Sequence, residues 1–146
     1  MEQLIRTADA AVTKKLFFRT NITYVNANEL CLFLTYLRTQ IIGKPISLVL
    51  DNARYQHCQL VKDFAESLNV TLLFLPAYSP NLNLIERLWK FIKKKALYAK
   101  FYENFTLFQQ AILTTLYKVN NEYKSEINTL ITLKFQTFEN VTFYPL

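Results

Sequence analysis

Ile46-Ser47-Leu48-Val49-Leu50-Asp51-Asn52 decides how this chain is read. The first five residues are a short, β-favouring apolar run, and Asp51 follows at once. A second run, Leu72-Leu73-Phe74-Leu75, stops at Pro76. Between the runs, Leu60, Val61, Phe64, Ala65 and Leu68 recur at helical spacing. Strand, helix and strand in one sheet give two parallel strands joined by a right-handed crossover. Residues 76–82 read as a loop, with Pro76, Ser79, Pro80 and Asn81. Glu86 then opens a helix loaded with Lys and Arg. Two carboxylates thus reach one region, Asp51 from a strand's C-terminal end and Glu86 from the next helix. Open α/β sheets place ligands at that end of their strands.

Working outward, residues 2–11 and 14–20 read as two strands, with Val12-Thr13-Lys14 as a hairpin turn. Asn26-Ala27-Asn28-Glu29 starts a helix, since Asn is a good cap and Leu30, Phe33, Leu34 and Leu37 form an apolar stripe. Gly43 and Pro45 close it. On the helix from Asn83 to Ala99, Ile85, Leu88, Trp89, Ile92 and Ala96 share one side. Glu86, Lys90 and Lys93 cluster on another, flanked by Arg87 and Lys94. Phe105 to Val119 is a further amphipathic helix, with Phe108, Ala111, Ile112, Leu116 and Val119 facing inward. A shorter helix covers Ser125 to Leu133, and residues 134–139 alternate like a strand or form an extended tail. No repeat or linker composition divides the chain, so residues 1–146 read as one α/β domain. Its parts are a hairpin at 1–25, a core carrying the acids at 26–100, and C-terminal helices with a tail at 101–146.

Composition removes several classes. The 146 residues are 51% hydrophobic, enough for a real core and unlike a disordered chain. Gly43 is the one glycine, so no glycine-rich phosphate loop exists. Cys31 and Cys58 have no metal-site spacing; they read as reduced intracellular thiols, with a single disulfide as the alternative. No apolar run approaches a membrane span, and Glu2, Arg6 and Asp9 break up any signal peptide. A net charge of +6 suggests an anionic partner.

Carboxylates are hard oxygen donors, and Mg²⁺ is commonly held by one or two of them, with water and phosphate completing its shell. Paired ions of this kind serve phosphodiester chemistry. Lys90 and Lys93 beside Glu86 would hold a DNA backbone without reading its sequence. Each piece also has a plainer reading. Asp51-Asn52 can simply turn the chain after a strand. Asn83-Leu84-Ile85-Glu86 resembles a capping box. The lysines can be a solvated face, Trp89 core, His57 structural and Cys58 a packed thiol.

Asp51-Asn52-Ala53-Arg54-Tyr55-Gln56-His57, the Leu75-Pro76…Tyr78-Ser79-Pro80-Asn81-Leu82-Asn83 loop and Ile85-Glu86-Arg87-Leu88-Trp89-Lys90 resemble the core of the DDE transposases of the IS630/Tc1-mariner group. The 34 residues between Asp51 and Glu86 match that group's interval between its second and third acids. The resemblance runs from the Asn26 helix start to Phe135-Gln136-Thr137-Phe138. It implies an RNase H-like mixed sheet with flanking helices. It also implies two divalent ions, Mg²⁺ or Mn²⁺, held by Asp, Asp and Glu. The implied reaction is cleavage of double-stranded DNA at transposon ends, followed by strand transfer. Asp51 and Glu86 would be the catalytic and metal-binding acids. Arg54, Arg87, Lys90, Lys93 and Lys94 would contact DNA. The location implied is cytoplasmic and nucleoid-associated.

The sequence departs from the group where Leu84 replaces a common Pro and where Gln56 replaces a common His, with His57 one place later. The larger departure lies upstream. Only a hairpin and one helix precede Asp51, and Asp9 is the sole earlier Asp. The expectation is therefore a C-terminal part of a catalytic domain, without its first strand and first acid. An N-terminal transposase segment or a homodimer would be its partner. The alternative is a non-catalytic fragment that binds DNA or transposase.

Overall fold

The computed structural model describes residues 15–20, 24–76 and 84–130. Its elements are α1 (Ala27–Gln40), β1 (Ile46–Leu50), a 3₁₀ turn (Arg54–His57), α2 (Gln59–Ser67), β2 (Val70–Phe74), α3 (Leu84–Ile92), a π-helical turn (Lys93–Leu97), α4 (Phe105–Val119) and α5 (Lys124–Leu130). β1 and β2 pair in parallel, from Ile46 opposite Val70 to Leu50 opposite Phe74. The strand–helix–strand reading of 46–75 therefore holds, with β2 starting two residues earlier and ending one residue earlier than expected.

A first core forms between α1, the sheet and α2. Asn26 caps α1, its Oδ1 accepting the Glu29 N–H at 3.0 Å. The expected stripe of Leu30, Phe33, Leu34 and Leu37 is buried, joined by Cys31. Ile46, Leu48 and Leu50 face it from β1, and Val61 and Ala65 from α2. Leu60 departs from the expected stripe: it is exposed. Arg38 ties this layer together. Its guanidinium donates to the carbonyls of Ile41, Lys44 and Asn69, so the end of α1 and the turn before β2 share one cation.

A second core forms from Leu88, Phe91 and Ile92 of α3, Ala96 of the π turn, Leu116 and Val119 of α4 and Ile127 of α5. The expected helix to Ala99 is broken in character. After Ile92 it widens, with Tyr98 N–H donating to Lys93 O at 2.9 Å, five residues back. It closes at Ala99, whose φ is +55°. The expected inner face of α4 holds at Leu116 and Val119, with Ala111 and Ile112 half-buried, and adds buried Thr115.

Residues 15–20 correct an expectation. They form no strand among the described residues. Instead the segment stitches the cores together, with Leu16 buried in the second and Phe17 in the first. Its backbone partner is a side chain. Asn120 Oδ1 accepts Leu16 N–H at 2.6 Å, and Asn120 Nδ2 donates to Leu16 O at 2.9 Å. The expected strand at 2–11, the hairpin turn and the strand or tail at 134–139 lie outside the described residues.

Candidate active site

β1 carries Asp51 to the C-terminal edge of the sheet. Leu50 is buried opposite Phe74, and Leu75 N–H donates to Leu50 O at 2.9 Å, so pairing continues to the strand's last residue. The chain then turns sharply. Asn52 has φ +72°, the left-handed region that Asn tolerates better than most residues. Asp51 is left exposed at the strand tip.

Three side chains fix that turn. Gln56 is only 1% exposed. Its Nε2 donates to Asp51 Oδ1 at 2.7 Å, and its Oε1 accepts Ala53 N–H at 2.9 Å. Gln56 N–H returns a bond to Ala53 O at 2.9 Å. His57 Nε2 meets Asn52 Oδ1. A carboxamide oxygen only accepts, so the imidazole proton sits on Nε2 in this contact. The His57 ring also stacks on Phe74 of β2, centroids 4.1 Å apart and 21° from parallel. His57 thus ends a 3₁₀ turn, and sequence alone did not connect it to Asn52 or Phe74.

Glu86 is exposed in the first turn of α3, where a negative charge suits the helix dipole. α3 is anchored in the second core by Leu88, Phe91 and Ile92. The two acids therefore rest on different cores. Residues 77–83, which join their elements, lie outside the described residues, as does Asn83 of the capping-box reading.

The expected basic residues divide by environment. Arg54 is exposed three residues after Asp51, and Lys90, Lys93 and Lys94 are exposed along α3 and the π turn. None of the three lysines forms an ion pair with a described residue. Arg87 is half-buried, and its guanidinium donates to Leu130 O at 3.3 Å, tying α3 to α5. Lys95 is structural. Its Nζ lies 3.0 Å from Glu126 Oε2 and stands over the Phe91 and Tyr123 rings, 5.4 and 4.7 Å from their centroids.

Among the described residues, no three His, Cys, Asp or Glu side chains gather as a metal site. The donor chemistry of the two acids nevertheless fits a hard divalent cation. Asp51 gives one oxygen to a neutral amide, and its other oxygen has no partner among the described residues. The Glu86 carboxylate bonds to no described residue and keeps both oxygens. Sequence reading missed Gln56 as a partner of Asp51. The available signal was its place three residues after Ala53, a spacing that lets its amide close back onto the turn.

The sequence model of the DDE superfamily endonucleases matches residues 9–108, a stretch that includes Asp51 and Glu86. The chain belongs to this family. No curated protein matches it. Solved structures also resemble this chain. The catalytic domain of Mos1 mariner transposase is 17% identical with a TM-score of 0.54, over 89% of this chain and 79% of that one. The Mos1 transposase catalytic domain with raltegravir and Mg is 16% identical with a TM-score of 0.54, over 95% and 83%. The corresponding structure with Mn is 16% identical with a TM-score of 0.55, over 95% and 82%. At these identities the likeness concerns the fold. The chain has the α/β architecture of an RNase H-like transposase catalytic domain.

Proposed function

We propose that this chain is a catalytic segment of a DDE transposase of the IS630/Tc1-mariner group, cutting and joining double-stranded DNA with Mg²⁺ or Mn²⁺. One observation carries the reading. Asp51 is an exposed carboxylate at the tip of a parallel strand, braced by a buried amide, within the stretch matched by the endonuclease family. Asp51 acts as the second acid and Glu86 as the third. When bound, two divalent ions would activate the attacking oxygen and steady the leaving one. The chain's own part is to hold those cations on Asp51 and Glu86 and to bind phosphates. Arg54, Arg87, Lys90, Lys93 and Lys94 supply the phosphate contacts, which fix register rather than read bases. The solved structures with Mg and Mn support the choice of cation.

Residues 1–146 act as one unit in this reading, on DNA of the nucleoid. Two carboxylates hold cations less completely than three, so weak activity of the isolated polypeptide, raised by a transposase N-terminal segment or a second copy, is part of the proposal. The test is cleavage of element-end DNA in Mg²⁺. Weak cleavage that Asp51→Ala and Glu86→Gln abolish, and that an N-terminal segment enhances, is the expected result. Cleavage that survives Asp51→Ala overturns the reading.

A second reading is favoured by the exposed row of Lys90, Lys93 and Lys94: a non-catalytic fragment that binds DNA or transposase. It expects salt-sensitive DNA binding that Glu86→Gln leaves unchanged, with no cleavage under any metal.

A further inference from the structure

We propose that Gln56 is a positioning residue for cation binding, holding Asp51 with one oxygen committed and the other free; this rests on Asp51 being a metal ligand. Amide orientation follows from chemistry. Ala53 N–H can only donate, so the Gln56 oxygen must face it. The amide nitrogen is then turned to Asp51 Oδ1, and an ionised carboxylate can only accept. Both ends of the carboxamide are satisfied in one orientation and neither in the flipped one. Gln56 is 1% exposed, and its own backbone N–H is bonded to Ala53 O, so the brace does not swing with solvent.

A neutral donor is suited to this task. Lys or Arg at the same place would bind Asp51 more strongly but would cancel the charge that attracts a cation. An amide fixes the rotamer and leaves the full negative charge. It also leaves Oδ2 without a described protein partner. Asn52 helps from the other side. Its left-handed backbone turns the chain, and its Oδ1 is held by His57, itself stacked on Phe74. Asp51 thus stands on a turn fixed at both ends, which is how outer groups orient a metal ligand.

The test measures Mn²⁺ binding by calorimetry on the 146-residue chain, independent of turnover. Gln56→Met keeps volume and removes the amide. It should weaken Mn²⁺ about 10- to 100-fold, the usual effect of losing a group that orients a metal ligand. In an Asp51→Ala background, the same substitution should change nothing further. Equal weakening in both backgrounds shows a general structural effect and overturns the proposal. So does unchanged affinity in Gln56→Met while Asp51→Ala weakens binding. If Asp51→Ala itself leaves Mn²⁺ affinity unaltered, the metal-site reading fails first. A second measurement needs no Gln56 variant. In the ¹⁵N-labelled wild-type chain, the Gln56 side-chain amide should exchange slowly and shift on Mg²⁺ addition, and Asp51→Ala should remove both behaviours. A fast-exchanging amide indifferent to Mg²⁺ overturns the proposal.

Discussion

His57 lies flat on Phe74, joining the turn that follows β1 to the last residue of β2. The contact crosses between neighbouring strands' C-terminal ends, so it locks the Asp51 turn to the sheet. Stacked aromatic pairs contribute about 0.5–1.5 kcal/mol beyond the area they bury. A double-mutant cycle of His57→Ala and Phe74→Leu in urea should therefore return a coupling of about 1 kcal/mol. Coupling near zero would mean that the rings touch without holding the turn.

Asn120 should matter more to stability than its half-buried surface suggests. It serves both polar groups of Leu16 as a neighbouring strand would. Losing two such bonds costs about 1–3 kcal/mol, at roughly 0.5–1.5 kcal/mol each. Asn120→Ala should show that loss. Asn120→Asp should still accept from the Leu16 N–H but cannot donate to its carbonyl, leaving a buried carbonyl beside a carboxylate. Hydrogen exchange at Leu16 N–H should accelerate strongly in the alanine variant and less in the aspartate one.

Those two contacts show where sequence stops informing. The parallel βαβ unit was legible because Leu48, Leu50, Val61 and Ala65 are apolar at the right periods, and short-range pattern sets these elements. The cap at Asn26 and the span Phe105–Val119 were legible for the same reason. Residues 15–20 misled because Leu16-Phe17-Phe18 has β character, while its backbone partner is a side chain 104 positions away. No local pattern encodes Asn120. The π turn at Lys93–Leu97 was likewise hidden, since a run of three lysines carries no period of its own. At the candidate site, the position of Asp51 at a strand tip was legible in the sequence. The bond from Gln56 was less legible, because the three-residue spacing from Ala53 brings its amide to Asp51 only through the turn at Asn52.

Ala99 occupies φ +55°, where a side chain costs about 1–2 kcal/mol. It ends the π turn, and glycine has no such penalty there. Ala99→Gly should raise stability, less the extra entropy of glycine in the unfolded chain, for a net gain of about 0.5–1 kcal/mol. A chemical denaturation midpoint shifted upward at unchanged slope is the expected readout.

Cys31 provides a pH signature. Burial, and then the nearby Cys58, push its thiol above the ordinary value. Both cysteines are free. Below the ordinary thiol value, folded and unfolded chains both hold the proton and the stabilisation is complete. Above it the unfolded chain loses its proton first, so stability declines as pH rises through the folded value. Urea unfolding from pH 7 to 11 should show this alkaline decline, and Cys31→Ala should make it shallower. Alkylation of Cys31 in the folded chain should need higher pH than alkylation of a free thiol.

The lysines of α3 and the π turn should separate by what they touch. Lys90, Lys93 and Lys94 are exposed, whereas Lys95 is engaged with Glu126, Phe91 and Tyr123. If the first three meet phosphates, each alanine substitution should weaken duplex binding regardless of sequence. Each should also flatten the slope of log affinity against log salt by about 0.9. Thermal stability should barely change, because no described ion pair is lost. Lys95→Ala should do the reverse, lowering the melting temperature while leaving the salt slope intact. The comparison requires fluorescence anisotropy at four or five salt concentrations with one duplex of unrelated sequence. A slope that Lys95→Ala flattens as much as Lys93→Ala does would mean that the DNA path runs across α5 as well, and the division drawn from the side-chain contacts would fail.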